Sequence, residues 1–165
     1  MGAAVALVTA VPTTTAGFSL WNGETGPNAK SYVMDSAGIM DVVADATQTD
    51  QTAIMGMMNR TPVTAPTDAA LTIRSLSGRS LYSGKARTLA AGSVTDDGWL
   101  PLGNSNAGAA AAAGSLWKIQ DVPLRGLYII PPGGMFSIVG IKVAAAAAGS
   151  RYFMRWHEVV LPVVT

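Results

Sequence analysis

The chain has 165 residues, of which 49% are hydrophobic and 13% are charged, with a formal net charge of +1 and no cysteine. An average soluble domain carries about 25% charged residues, so we expect partner proteins to cover part of this surface. The absence of cysteine excludes disulfides and thiolate metal sites, and the single His157 excludes a metal site that needs two imidazoles from one chain.

The charge pattern and the apolar runs also exclude two classes of partner. Lysines and arginines are scattered along the chain, so no electropositive patch for nucleic acid is expected. The apolar runs are interrupted by Thr, Gly, Pro or a charge before they reach the roughly 18 residues of a membrane-spanning helix. We therefore expect neither nucleic acid nor a membrane among the partners.

Residues 1–17 predict an extended N-terminal arm. Residues 1–16 contain no charged side chain, and the segment ends in Val11-Pro-Thr-Thr-Thr-Ala-Gly17. This β-branched, Pro-containing composition favours an extended chain over a helix. Because an apolar arm needs a surface to bury against, it lies either along an edge of its own domain or across a neighbouring subunit. Residues 18–165 are long enough for a single β-sandwich domain.

Short strands separated by turn-forming residues are expected in the first half of this domain. Phe18–Asn22 predicts a strand, and Gly23-Glu-Thr-Gly-Pro-Asn28 predicts the loop that follows it. Residues 51–59 are apolar on both alternating faces, which favours a strand covered on both sides, with a short helix as the alternative. Further β segments are expected at 30–35, 38–45, 71–76, 80–82, 86–91 and 99–102, with a Pro-containing loop at 61–68.

The second half opens with an alanine-rich loop and closes with clear strands. Two alanine runs, 109–113 and 144–148, are each followed by Gly-Ser, which suggests two equivalent loops. Residues 127–140 indicate strand, turn, strand, and the second of these strands is apolar on both faces, as in a central strand or one at a subunit contact.

In the closing strand, Tyr152, Met154 and Trp156 share the face predicted for the core. Arg151, Arg155 and His157 share the other face, on which Phe153 is an exception. Short strands between Gly, Pro and Asn turns, without a long amphipathic helix, predict an all-β fold: an antiparallel, jelly-roll-like β-sandwich with an extended N-terminal arm.

No residue pattern predicts a catalytic, cofactor-binding or metal site. Gly78 to Ala86 resembles a phosphate loop, but its glycines have the wrong spacing and Ala86 lacks the metal-binding hydroxyl. Asp35-Ser36-Ala37-Gly38 resembles part of a nucleophile elbow, but Met34 stands where the first glycine is needed. A hydrolase would require Ser36 and His157 within hydrogen-bond reach of each other.

Two acidic sequences are interpreted as structural. Asp96-Asp97-Gly98 favours a turn over a calcium loop, because no ligand series with EF-hand spacing follows it. His157 and Glu158 are adjacent, so in a strand they point to opposite sides and do not form an acid–base pair. We therefore expect a protein that is not an enzyme and that has no cofactor.

Two segments carry a family resemblance. Ser19-Leu-Trp-Asn22 precedes a Gly-rich turn, and Tyr128-Ile-Ile-Pro-Pro-Gly-Gly-Met-Phe-Ser-Ile precedes a closing strand that ends in Trp156-His-Glu-Val. Together they resemble small virion structural proteins of tailed bacteriophages, of the decoration or cement type. The resemblance implies a β-sandwich that packs among virion proteins, and it brings no catalytic residues.

From this resemblance and the composition we expect a capsid decoration or cement subunit, located in the virion and assembled in the host cytoplasm. We expect a homo-oligomer, specifically a trimer, in contact with the major capsid protein or other virion proteins. The alternatives are a head–tail connector or a tail-fibre domain that binds a receptor or glycan. In the last case exposed Tyr82, Trp99 or Trp117 would stack on sugars.

Overall fold

The computed structural model describes residues 5–6, 10–11, 16–41, 51–59, 73, 85–90, 94–95, 97–106, 119–142 and 149–161. Their regular structure is entirely β, with no helix. The strands are β1 Val5–Ala6, β2 Phe18–Asn22, β3 Ser31–Asp41, β4 Gln51–Asn59, β5 Ala86–Ala90, β6 Leu100–Asn106, β7 Ile119–Pro123, β8 Ile129–Ile130, β9 Met135–Lys142 and β10 Gly149–Val159. Within these ranges, no helix is long and apolar enough to cross a membrane. Both alanine runs, the loop at 61–68 and, apart from Ile73, the strands predicted at 71–76 and 80–82 lie outside the described residues.

The strands form two antiparallel sheets. Sheet A has the order β1-β10-β3-β7, and β8 also pairs with β3, whereas sheet B has the order β5-β2-β9-β4-β6. The prediction of a strand at 51–59 is confirmed as β4, and the helical alternative is wrong. β9 lies in the middle of sheet B, as its two apolar faces predict.

One continuous strand joins the β segments predicted at 30–35 and 38–45, and residues 42–45 of the second segment lie outside the described residues. β3 and β10 are 11 residues long and pair along their length. The register shifts where Arg155 pairs with Ser36 but Trp156 pairs with Met34, which leaves Asp35 as an extra residue. This β-bulge accommodates the polar residues Asp35 and Ser36 within the strand. The strand bends there and continues, although the sequence indicated a break.

A single apolar core takes side chains from both sheets, and we call it the shared core. Sheet A contributes Tyr32, Met34, Ala37, Ile39, Ile130, Tyr152 and Met154, and sheet B contributes Phe18, Leu20, Ile54, Phe136 and Ile138. The predicted inward face of β10 is confirmed, because Tyr152 and Met154 are buried and Trp156 packs against the core. Phe153 lies on the opposite face, where a side chain at Gly38 would collide with its ring.

Sheet B is buried on its second face as well. A second cluster of Ala16, Met57, Val94 and Met135 lies there, with Trp21 and Trp99 packed against it. On the same face the Ser19 and Ser137 hydroxyls, both fully buried, form a hydrogen bond of 2.8 Å between β2 and β9. The two hydroxyls can be buried together because each one is the hydrogen-bond partner of the other.

Candidate functional site

The Pro-Pro-Gly-Gly turn carries the chain from sheet A to sheet B. Gly134 N donates to Pro131 O at 2.9 Å, and Gly133 has a φ of 79°, as a type II turn with Pro and Gly at its centre requires. The predicted turn is therefore confirmed. Its flanking strands do not pair with each other, however, because β8 pairs with β3 whereas β9 pairs with β2 and β4.

Hydrogen bonds of Asn22 hold the chain in place where it crosses from sheet A to sheet B. Its side chain is fully buried, and its Nδ2 donates to Lys30 O at 2.8 Å and to Ile130 O at 2.9 Å. Its Oδ1 accepts from Glu24 N at 3.0 Å. Its backbone pairs with the turn through Asn22 N to Gly134 O and Gly133 N to Asn22 O. One residue thus holds the end of β2, the loop before β3 and the crossing between the sheets.

A second turn, at residues 124–127, joins β7 to β8 and projects Leu127 into solvent. Leu127 N donates to Leu124 O at 2.9 Å, and Arg125 and Gly126 have φ values of 49° and 76°, as in a type I′ turn. The bulge in β3 holds this turn, because Asp35 O accepts from Leu124 N at 2.8 Å and from Arg125 N at 3.2 Å. The Leu127 side chain is 80% exposed.

Leu127 stands at an open concavity of about 810 Å³, which we call the apolar groove. The groove lies between the β4–β6 edge of sheet B and β8 of sheet A. Its lining residues are Ser31, Gly56, Met58, Asp97, Gly98, Leu100, Leu127, Tyr128, Ile129, Pro131 and Leu161. Asp97 is the one charged residue in this lining, so the groove suits an apolar occupant.

The floor of the apolar groove is fixed and its rim is exposed. The Tyr128 ring packs on Phe136 with centroids 5.0 Å apart, and Met58 packs against the shared core. On the rim, Leu100 is 56% exposed, and Ile129 and Leu161 are each 42% exposed. Single exposed leucines are common on protein surfaces, but four large apolar side chains around one concavity, counting Leu127, are typical of a contact site.

A hydrogen bond from Asn59 holds Asp97, the charged residue of the groove lining, in place. Asn59 is buried, and its Nδ2 donates to Asp97 Oδ2 at 2.6 Å and to Thr95 O at 2.9 Å. Gly98 has a φ of 98°, which agrees with the turn predicted at residues 96–98. The Asp97 carboxylate is therefore fixed in the wall of the groove by a neutral donor, the Asn59 amide.

The outer face of sheet A has the opposite character, because charged and polar side chains pair across it. Arg155 Nη1 lies 2.7 Å from Asp121 Oδ2, and the Arg155 guanidinium lies 5.5 Å from the centroid of the Phe153 ring. His157 Nδ1 lies 2.9 Å from Asp35 Oδ1. Such exposed pairs contribute little to stability but keep a surface hydrated, so this face contrasts with the apolar groove.

A further ion pair links the loop before β3 to the end of β10. Lys30 Nζ lies 2.9 Å from Glu158 Oε2. The hydrogen bond to Glu158, together with the charge of that carboxylate, raises the pKa of Lys30 above its ordinary value. The stabilisation that accompanies this raised pKa is therefore fully present at neutral pH and is lost as the pH rises through the folded-state pKa of Lys30.

Ser36 and His157, the residues considered for a hydrolase, do not hydrogen-bond to each other. Ser36 Oγ is buried and has no hydrogen-bond partner, whereas His157 bonds to Asp35 in the bulge. Trp99 is half-buried and packs against the second cluster instead of standing free for a sugar, and Tyr82 and Trp117 lie outside the described residues. In the described ranges, no group of three or more His, Cys, Asp or Glu side chains could hold a metal ion.

Sequence reasoning did not identify the apolar groove. The segment Leu127-Tyr-Ile-Ile130 carried a signal for it, because both alternating faces of this extended segment are apolar. Leu127 and Ile129 point outward, whereas Ile130 enters the shared core. Two apolar faces on a strand that turns out to lie at a sheet edge indicate a second contact surface.

Comparison of the chain with models of known protein families found no match. No curated protein and no solved structure matched it either. The function is therefore inferred from the composition of the sequence and the geometry of the groove.

Proposed function

We propose that this protein is a structural component of a tailed-bacteriophage virion, a decoration or cement subunit that stabilises the capsid through subunit–subunit contacts. The observation that carries the proposal is the apolar groove, with its rim of exposed leucine and isoleucine side chains on a chain poor in charge. The protein acts as a homo-oligomer, a trimer, in contact with the major capsid protein or other virion proteins. No cofactor, nucleic acid or membrane is needed.

The proposed domain is a jelly-roll-like β-sandwich with an extended N-terminal arm. Two antiparallel sheets that send side chains into one shared core support the sandwich. Virion subunits of this kind work by burying surface against copies of themselves and against the shell, so a rigid scaffold with an open apolar site suits the task.

Burial of the groove would supply the contact energy. Covering a fully exposed Leu or Ile side chain is worth about 1.5–3 kcal/mol, and each of the four rim side chains, which are 42% to 80% exposed, would contribute part of that. Association costs several kcal/mol in lost freedom of motion, so one groove gives a contact of modest strength. Repeated across many subunits in a shell, contacts of modest strength combine into a stable lattice.

The copy number of the protein in purified virions tests this role. A decoration or cement subunit is present in tens to hundreds of copies on the head, which quantitative mass spectrometry and electron microscopy of the particle would show. About a dozen copies or fewer at the portal or tail would instead identify a connector or fibre component. Absence of the protein from purified particles would end the virion proposal.

The groove is tested by Leu127→Glu. Because Leu127 is 80% exposed, the substitution leaves the fold intact but places a carboxylate in the contact. We expect at least a tenfold loss of affinity for particles, measured by titration of stripped particles with each variant, since burial of one leucine is worth more than the 1.4 kcal/mol of a tenfold change in Kd. Ile119→Glu is the matched control, because Ile119 is 62% exposed on β7 and does not line the groove.

A further inference from the structure

Asn22 is the one asparagine of the chain that a glycine follows. The residues after the other four asparagines are Ala29, Arg60, Ser105 and Ala107. Because glycine has no Cβ, its backbone nitrogen can approach the side-chain carbonyl carbon of the preceding asparagine with little steric hindrance. That nitrogen can then displace the side-chain amide as ammonia. The pair Asn22-Gly23 is therefore the point at which this chain is most open to deamidation.

The fold requires both residues of this pair. Asn22 supplies two N–H donors, from a fully buried side chain, to carbonyls of two different segments. At Gly23 an added Cβ would lie 2.5 Å from Lys85 O and 2.5 Å from the Trp21 ring, so a larger residue would force the backbone to shift. The reactive pair is thus a consequence of the packing around it.

In the folded protein this reaction is blocked. For the Gly23 nitrogen to reach Asn22 Cγ, the side chain must leave its three hydrogen bonds and the peptide between the two residues must rotate. That peptide is held because Gly133 N donates to Asn22 O at 2.8 Å, and Asn22 also pairs with Ala86 at the end of β2. The ring can therefore close only after this part of the fold has opened.

We propose that Asn22 is a deamidation site that the fold protects and that unfolding exposes, and that its modification prevents the chain from folding again. The Gly23 nitrogen forms a bond to Asn22 Cγ, and Nδ2 leaves as ammonia with the proton of that nitrogen. Water then opens the cyclic imide to aspartate or isoaspartate. No oxidant or reductant is needed.

Neither product can replace the asparagine in the fold. A carboxylate has no N–H to donate, so it would face the Lys30 and Ile130 carbonyl oxygens with a negative charge in a fully buried position. Isoaspartate also adds one carbon to the backbone where β2 meets the Pro-Pro-Gly-Gly turn. Chains that remain folded keep Asn22, whereas chains that stay unfolded are lost from the folding equilibrium. This inference does not depend on the virion role.

Deamidation kinetics of the full-length protein test the inference. Wild-type protein is kept in mildly alkaline buffer, with and without urea above the unfolding midpoint, and peptide mass spectrometry follows Asn22 and Asn28. Asn28 is the control within the same chain, because it is exposed in the folded state and precedes Ala29. In urea we expect Asn22 to react about tenfold faster than Asn28. Without urea the rate at Asn22 should fall by about 100-fold or more, since it follows the open fraction, whereas the rate at Asn28 should change little.

Refolding and two matched variants test the second half of the inference. After urea is removed, chains modified at Asn22 should stay unfolded, whereas chains modified only at Asn28 should refold. Asn22→Asp, which reproduces one product, should lower the ratio of folded to unfolded chains by about 100-fold, and Asn28→Asp by about twofold or less. If wild-type refolding is itself incomplete, the equilibrium stabilities of the two variants decide the question.

Three results would overturn the inference. The first is deamidation of Asn22 at the same rate in the folded protein as in urea, because the fold would then give no protection. The second is an unfolded chain in which Asn22 reacts no faster than Asn28. The third is an Asn22→Asp variant as stable as wild type, since the modified chain could then fold again.

Discussion

At the scale of single residues, the most consequential side chain is the amide of Asn22. An asparagine buried completely is costly unless its hydrogen bonds are made, and both amide atoms of Asn22 have partners in the structure. Its donor group serves two carbonyls that approach from different parts of the chain. A carboxylate or an apolar side chain of the same size could not donate to both.

Replacing Asn22 should therefore be among the most destabilising polar substitutions. Asn22→Ala leaves the Lys30 and Ile130 carbonyls and the Glu24 N–H without their partner, and we expect a loss of about 3 kcal/mol in the free energy of unfolding. Urea denaturation measures it. The control is Asn28→Ala in the exposed turn, expected to stay within about 0.5 kcal/mol of wild type. Similar values for the two variants would contradict the role given to Asn22.

The sequence predicted the strand that ends at Asn22 but not the burial of this residue. Its partners lie 8 residues away at Lys30 and 108 residues away at Ile130. Local pattern reasoning identifies asparagine as a turn former, and nothing within a short window distinguishes a solvated asparagine from one that bridges two distant carbonyls. The same limit applies to Asn59, whose partners Thr95 and Asp97 lie on a later segment.

At the scale of elements, the bulge in β3 and the turn at residues 124–127 act as one unit. The extra residue Asp35 turns its carbonyl toward the N–H groups of Leu124 and Arg125, and Met34 O accepts from Gly126 N at 2.9 Å. A bulge thus anchors the turn that places Leu127 on the groove rim. The short β8, which pairs with only Tyr32 and Val33, follows directly from this turn.

The type I′ geometry of the turn predicts that substitutions at its two central residues change stability in opposite directions. Gly126 has a φ of 76°, and a Cβ there would lie 3.2 Å from the Val33 side chain, so Gly126→Ala should destabilise by about 1–2 kcal/mol. Arg125 has a φ of 49°, which asparagine tolerates better, so Arg125→Asn should stabilise by about 0.5 kcal/mol. Thermal denaturation of both variants checks the signs. A stabilising Gly126→Ala would show that the turn has another geometry.

The elements were predicted well where local chemistry determines them and poorly where pairing determines them. Phe18–Asn22, Gln51–Asn59 and the Pro132-Gly133 turn follow from composition and turn propensity, and the structure confirms them. The bulge at Asp35 was not foreseen, because it arises from the register against β10. Likewise, a Pro-Gly turn indicates a reversal of the chain but not whether the strands beside it share a sheet.

At the scale of the whole molecule, two surfaces of opposite character flank one core. Low charge and apolar content predict that partner proteins cover part of the surface, and the exposed rim of the apolar groove is the place at which we propose that contact. The position of the groove could not be predicted, because its walls come from five stretches that only the tertiary fold brings together: the start of β3, β4, β6 with the residues before it, β8 with its flanking residues, and Leu161. The Arg155–Asp121 and His157–Asp35 pairs of sheet A likewise join β3, β7 and β10.

Because the two sheets share one core, they should unfold together. Ile54 of sheet B is fully buried against side chains of sheet A, so Ile54→Ala should destabilise the whole domain by about 3 kcal/mol. Hydrogen exchange of the β3 amides in sheet A should then accelerate about 100-fold, as much as exchange of the β9 amides in sheet B, because both open through the same global unfolding. Leu100→Ala on the neighbouring β6 removes an exposed side chain of similar size and should change neither exchange rate appreciably.

If exchange accelerated in β9 while β3 kept its protection, the sheets would be separate cooperative units. The shared core would then not be the element that determines the stability of the scaffold behind the groove.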